Sequence, residues 1–441
     1  MNIAILGGGF TGLTAAYQLS KKGHTVTIIE KETGLGGLAE GFYDPAWKWP
    51  LERAYHHLFA NDDDILSFAR KIGFKDIIIK SPETASLYKA NNQSKSVKTI
   101  YRNFPVDTPQ DFLKFPLLTF PSKIRAGITV VFLKLTPHLK WFDTVPSAEF
   151  LKKSMGEEAW NVLFQQLFRK KFGKYAEKIV TSFIWARLKK RSKQLVYFKG
   201  GFQAFIDHIE DTLEDRGVTI LKGNAVVSVA KSGSVFTVSL KNKEKYTFDA
   251  VISTLPSPVS IKVAEKLFPV AYKKRMGSIS YLNAVNFIIA SKEPLFDTTY
   301  WSSVCVNEFP MMVFVQHTNF IDPRHYGGQH LLYIANYVEQ NHPLMKMNKE
   351  ETLQHFLPYL EKIRPGFSKK IINLYHFKAP YAQPIYDKEF VQKKPHFVTP
   401  IKHLYIANLD MTYPYDRGTN YAVKLGMRVA NTCHTAFRKE M

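Results

Sequence analysis

Residues 3–30 read IAILGGGFTGLTAAYQLSKKGHTVTIIE. Ile3 to Leu6 form a short apolar run of the kind that lies buried on both faces in a parallel sheet. Gly7-Gly8-Gly9-Phe10-Thr11-Gly12 follows and fits Gly-x-Gly-x-x-Gly, after which Leu13, Ala16, Tyr17 and Leu19 recur at helical spacing up to Gly23. His24 to Ile29 reads as a second strand closing on Glu30, eighteen residues beyond Gly12. Strand, glycine turn, helix, strand and acid in this order describe the opening unit of a dinucleotide-binding α/β domain. Gly7 permits the tight turn, Gly9 lets the backbone approach a pyrophosphate, and Gly12 lets the helix press against the sheet. The amides and dipole of the helix then face the phosphates, with Glu30 placed to accept hydrogen bonds from the adenosine ribose. An acid there argues against a 2′-phosphate, hence against NADP. A glycine-rich turn without a ligand is the bland alternative.

The rest of the composition narrows the class. At 441 residues, 45% hydrophobic and 22% charged, the chain has the balance of a globular protein with room for two domains. Its two cysteines, Cys305 and Cys433, have no partners at metal-ligand spacing, so neither a disulfide framework nor a zinc site is expected. No His-Glu-x-x-His and no Gly-x-Ser-x-Gly occurs, and no metal is expected. The N-terminus enters a strand at once, so no signal peptide is expected, and no apolar run reaches the ~20 residues that span a bilayer. The formal charge of +22 asks for a partner. Nucleic acid is disfavoured, because the cations are scattered and no nucleic-acid-binding signature accompanies them. Residues 112–142, FLKFPLLTFPSKIRAGITVVFLKLTPHLKWF, mix Lys and Arg with apolar residues. They read either as a segment lying in a membrane interface or as core helices with basic outer faces.

After Glu30 the chain runs KETGLGGLAEGF, with Gly34, Gly36 and Gly37 just past the acid. This stretch resembles the extended FAD fingerprint of the amine oxidase, protoporphyrinogen oxidase and phytoene desaturase superfamily, to which UDP-galactopyranose mutase is similar. The resemblance implies that Glu30, Lys31, Gly36, Gly37 and Leu38 border a flavin nucleotide, although Leu38 stands where the family usually carries Arg. It resumes at FKGGFQAFIDHIEDTLEDRGVTILKGNAVVSV, where the family's backbone at the Val226 position pairs with the adenine edge, and at FDAVISTLPSPV. It returns in HLYIANLDMTYPYDRGTNYAVKLGMRVANTC, where a strand, the turn Asp416-Arg417-Gly418 and a helix from Thr419 follow one another. In similar flavoproteins that helix points at the pyrimidine end of the flavin. Arg417, Gly418, Thr419 and Asn420 are therefore candidate contacts; the bland reading of Arg417 is a surface ion pair with Asp416. Asn408-Leu409 replace the family's usual Gly-Asp, with Asp410 displaced by one.

The expected architecture is α/β: a Rossmann-like FAD-binding domain of the glutathione-reductase type with an inserted α+β substrate domain. Residues 1–84, 191–259 and 396–441 are assigned to the FAD-binding domain, 85–190 to a mainly helical insertion with possible membrane contact, and 260–395 to a strand-rich substrate domain. Candidate catalytic residues are His56 and His57 in RAYHHLF and His317 in QHTNFIDPRHYGGQH, with Asn319 and the YAQPI stretch from Tyr381 as further candidates. For each histidine taken singly, packing or a structural hydrogen bond is the competing reading. The expected function is an FAD-dependent oxidoreductase acting on an amphiphilic or anionic small molecule. With no second glycine fingerprint for a nicotinamide, oxygen or a quinone is the expected electron acceptor. A flavin-dependent nucleotide-sugar isomerase resembling UDP-galactopyranose mutase and a flavin-free binding protein are the alternatives. A cytoplasmic location, with association to the inner face of the membrane, is expected.

Overall fold

A computed structural model describes residues 1–90 and 100–440. The chain opens with β1 (Asn2–Leu6), α1 (Phe10–Lys21) and β2 (Thr25–Ile29) and passes through a short hairpin to α2 (Asp63–Lys71). Strands β3 (Glu83–Ala90) and β4 (Ile100–Phe104) lead into α3 (Pro109–Lys114), α4 (Phe120–Leu135) and, after further helical turns, α5 (Thr181–Lys190). Next come α6 (Gly201–Glu214), β5 (Thr219–Leu221), the meander β6 (Val226–Ser232), β7 (Val235–Leu240), β8 (Lys245–Phe248), and β9 (Ala250–Ser253). Strands β10 (Tyr281–Ser291), β11 (Thr299–Val304), β12 (Val313–Gln316), β13 (His330–Val338) and β14 (Ile371–Pro384) precede β15 (Leu404–Ile406) and α7 (Thr419–Arg438).

The nucleotide-binding half is a parallel sheet in the order β5-β2-β1-β9-β15. Ile5 pairs with Ile28 on one side and Ile252 on the other. Strand β1 is central and covered on both faces, which is why its four residues Ile3–Leu6 are apolar without alternation. Helix α1 is buried over its first eight residues: Leu13 and Ala16, with Leu19 beyond, are buried against the sheet and Thr14 and Ala15 against α7. A Cβ at Gly426 of α7 would stand 2.5 Å from the Thr11 carbonyl oxygen, so the two helices touch backbone to backbone. The last element of the chain is thereby clamped on the first helix.

The second sheet has seven strands in the order β14-β10-β13-β12-β11-β3-β4. Residues 281–384 supply five of them, and the segment expected to be mainly helical supplies the other two: β3 lies parallel to β11 before the helices begin. The two insertions therefore share one sheet. Its outer face packs on the helix Lys349–Ile363 through Phe287 and Phe356, whose ring centroids are 6.0 Å apart.

Helix α4 departs from the reading of a core helix with a basic outer face. Its inner face buries Ala126, Thr129 and Leu133, yet its outer face is apolar rather than basic, with Ile128 66% and Leu135 76% exposed. Among the described residues, no helix is long and apolar enough to cross a membrane.

Candidate functional site

The glycine loop after β1 and the loop carrying Gly36 and Gly37 lie one on the other. Gly36 N–H donates to the Gly8 carbonyl at 2.9 Å, and a Cβ on Gly37 would sit 3.3 Å from Gly9 Cα. Gly7 and Gly36 hold φ of +107° and +112°, a region costly for any residue with a side chain. A Cβ on Gly12 would fall 2.1 Å from the Gly7 carbonyl oxygen, so Gly12 serves close packing beneath the loop. Glu30 is buried and its carboxylate braces this floor, accepting from Gly8 N–H at 2.7 Å and Glu32 N–H at 3.0 Å.

These loops form one end of a cavity of about 1280 Å³. Gly7, Gly9, Phe10, Thr11, Glu30, Lys31, Gly36, Gly37 and Leu38 line it, as do Arg417, Gly418, Thr419 and Asn420 from the far end of the chain. Helix α1 starts after Gly9 and α7 after Gly418, and neither N-terminus has a capping side chain. Two sets of unsatisfied helix amides thus meet one cavity, the arrangement that receives anionic groups. A dinucleotide with a pyrophosphate fits this donor set. Asn420 is fixed by accepting from Ile65 N–H at 3.0 Å, which ties α7 to the start of α2. Val226 opens β6 but is not among the lining residues; Asn224, two residues before it, donates its N–H to the Glu30 carbonyl at 3.0 Å.

Between the loops and the far end stands a pair that sequence reading passed over. Glu40 and Arg53 form a two-pronged ion pair, 2.8 Å on each arm, across the short hairpin, and both line the cavity. Burial raises the Glu40 carboxyl while Arg53 pulls it back. Thr254, Leu255 and Pro256 after β9 and Asn408 and Leu409 after β15 close this stretch. Asn408 donates to the Leu255 carbonyl at 2.9 Å and to Ser257 Oγ at 3.0 Å, binding the two strand ends together. Asp410 is turned away from the cavity, receiving Ser257 and Tyr281 hydroxyls at 2.5 and 2.6 Å, and burial pushes its carboxyl to about 6.

His56 and His57 both reach the cavity. The His56 Nδ1 lies 2.7 Å from the Ala54 carbonyl and the His57 Nδ1 2.9 Å from the Tyr300 hydroxyl. Their free edges face the cavity rather than bulk water, and this burial lowers them to about 4 and about 3. The lowering favours the neutral imidazole in both, the form in which a ring nitrogen accepts a hydrogen bond. His317 does not join them. It is buried, with Nε2 at 2.8 Å from the Tyr326 hydroxyl and its ring against Tyr197 and Tyr333, and it does not line the cavity. Asn319 spends its amide on the Phe296 and Thr299 carbonyls. The three-dimensional neighbours of His317 are aromatic: Tyr197, Tyr326 and Tyr333. Tyr381 does line the cavity, at a bulge of β14, with φ of +55°.

The far end is cationic and aromatic. Asp416 accepts from the Arg417 backbone N–H at 3.1 Å but does not pair with its guanidinium; its carboxylate receives Lys171 at 2.8 Å and Arg187. Burial would raise Asp416, but those two cations hold it below the usual carboxylate range. Burial drives Lys171 down to about 7 despite Asp416. The Arg417 guanidinium lies 4.8 Å over the Tyr337 ring and, among the described residues, makes no ion pair. Two cations share one carboxylate here with Arg417 next to them, beside Tyr55, Trp301, Tyr337 and Phe183. Nothing local in the sequence separates Lys171 and Arg187 from surface cations.

Comparison with known proteins places this geometry. The model of the flavin containing amine oxidoreductases matches residues 10–434. Coproporphyrinogen III oxidase of Staphylococcus aureus is 21% identical over 290 residues, 58% of this chain and 61% of that protein, so the match spans about three fifths of the relative's length. An oxidoreductase from Methanosarcina mazei superposes with a TM-score of 0.75 at 18% identity, over 98% of this chain and 100% of the other. Reduced UDP-galactopyranose mutase gives a TM-score of 0.74 at 14% identity, over 98% and 95%. At these identities the two structures establish the shared fold.

Proposed function

Because the chain belongs to the flavin containing amine oxidoreductase family, we propose that it is an FAD-dependent oxidoreductase taking a hydride from an amphiphilic or anionic organic substrate onto flavin N5. The observation that carries this reading is the single cavity into which the glycine loops, two uncapped helix N-termini and a cationic, aromatic end all open. FAD bound there supplies a two-electron acceptor, which protein side chains do not provide.

The chain's own residues divide the remaining work. Glu30 and the loops at Gly7–Gly9 and Gly36–Gly37 hold the adenosine and pyrophosphate, while the amides of Thr419 and Asn420 favour negative charge at the other end. Arg417, with Lys171 and Arg187 behind it, receives an acidic group of the substrate and fixes its orientation. Tyr55, Trp301 and Tyr337 pack on the apolar part and exclude water. His56 and His57, being neutral, act through single hydrogen bonds rather than as a charged acid. Oxygen or a quinone is the proposed final electron acceptor.

An isomerase acting on a nucleotide sugar has one observation in its favour: the same three cations suit a diphosphate. One experiment separates the readings. The purified protein carries a flavin absorbance spectrum, and an oxidised sample bleaches anaerobically with its substrate, the product being two hydrogens lighter. A colourless protein that takes up no FAD overturns the proposal. A coloured one that returns an isomer of equal mass and consumes no acceptor replaces it with the isomerase. The flavin-free reading has no support beside the family match over residues 10–434.

A further inference from the structure

Of the sixteen large hydrophobic side chains exposed among the described residues, eight fall between Leu113 and Trp141. Scattered single exposures are ordinary, but this density on one short segment is not. On α4, Phe120, Ile124, Ile128, Val131 and Leu135 recur every three or four residues. At 3.6 residues per turn they share a sector about 80° wide, pointing away from the buried Ala126, Thr129 and Leu133. Lys123 and Lys134 flank that sector on one side and Arg125 on the other. Residues 112–142 hold five Lys or Arg and no acid. Lys189 of α5 adds a further cation, donating to the Lys134 carbonyl at 2.6 Å at the end of the helix. The acids at the margins of this segment are engaged, Glu158 by Thr119 and Ser122 at the helix start, Asp111 by Thr108 and Asp143 by His138.

We propose that this face docks on an anionic phospholipid surface, with the apolar sector of α4 set among the acyl chains and the flanking cations on the phosphates. An apolar stripe bordered on both sides by cations is the complement of a charged interface rather than of a neutral groove. Its position adds a second argument. Lys134 also lines the cavity, together with Thr108 and Asp111 at the start of α3 and Lys190 and Arg191 at the end of α5. The cavity thus reaches the surface beside the docking face, so an amphiphile leaving the lipid meets it without crossing water. The docking itself does not depend on the redox reading.

The test is cosedimentation of the full flavin-loaded chain with vesicles of phosphatidylcholine alone and of phosphatidylcholine with phosphatidylglycerol. Binding is expected to the second and to fall with added salt. The double substitution Ile128→Glu, Val131→Glu, both side chains exposed, is expected to weaken it about tenfold or more. An unchanged flavin spectrum shows that the variant has kept its fold. In the unsubstituted protein, brominated lipid is expected to quench a fluorescence component that disappears in Trp141→Phe. Absence of binding, or equal binding by the double variant, overturns the proposal. So does a stable dimer in sedimentation equilibrium that the double variant dissociates, since the face then belongs to a second copy of the chain. None of these outcomes touches the flavin spectrum or substrate bleaching, so the docking and the oxidoreductase reading fail separately.

Discussion

Arg417 faces the cavity with no carboxylate of its own, its neighbour Asp416 being taken by Lys171 and Arg187. An uncompensated charge near the interior is retained at a cost in stability, and burial lowers the guanidinium from its ordinary value. Replacing it with Met is therefore expected to leave the thermal midpoint of the apoprotein unchanged or raised. For an acidic substrate the same change is expected to lower kcat/KM about tenfold to a hundredfold, the worth of one hydrogen bond to a charged group. Equal losses for acidic and neutral substrates in steady-state kinetics refute the assignment. Glu52 is a different kind of buried charge. It lies outside the cavity, accepting from the Tyr197 hydroxyl at 2.9 Å and Phe202 N–H at 2.7 Å, and burial raises it from 4.5 to about 7. A carboxyl raised on folding contributes stability that is complete below about 4.5 and lost as pH rises through about 7. Thermal unfolding measured across that window is expected to show this fall, on the order of 3 kcal/mol, and Glu52→Gln to flatten it. A variant with the slope of the parent protein excludes Glu52 as its source.

At the scale of elements, the decisive contact is between α1 and α7. Gly426 brings α7 to within van der Waals distance of Thr11 and Thr14, so that both helix N-termini open on the same space. Gly426→Ala forces the helices apart, because its Cβ meets a carbonyl oxygen and not the end of a flexible side chain. The expected cost is roughly 1–3 kcal/mol, with weaker flavin retention measured by dialysis. A variant that unfolds like the parent and keeps its flavin contradicts this. Glycine at that position was invisible as a site: within the helical spacing of residues 419–438 it looks like a weak helix former. The same holds for β3, whose partner besides the adjacent β4 lies some two hundred residues downstream, at β11. Local alternation shows that a strand exists, but says nothing of its neighbour.

For the whole molecule, a cofactor held by both ends of the chain links their stabilities. A ligand that binds only the folded state stabilises it by mass action. Removing the flavin is thus expected to lower the thermal midpoint. Hydrogen-exchange protection is expected to fall together in residues 7–12 and 419–423, at opposite ends of the sequence. Loss confined to one of the two segments refutes a shared site.

The opening β-α-β unit, its glycines and Glu30 were legible in the amino-acid sequence because each depends on residues within about thirty positions and on backbone sterics that only glycine satisfies. The parallel core and the strands of residues 281–338 were legible for the same local reason, short apolar runs in the first and alternation in the second. The chemistry of the far end was not. His56 and His57 became neutral, and His317 became a core residue, through burial by segments remote in sequence. Lys171, Arg187 and Arg417 became one cationic cluster because two helices of the insertion and the C-terminal turn meet around a single carboxylate. Desolvation and Coulomb energy depend on distance in space and on excluded water, and only the tertiary structure supplies either.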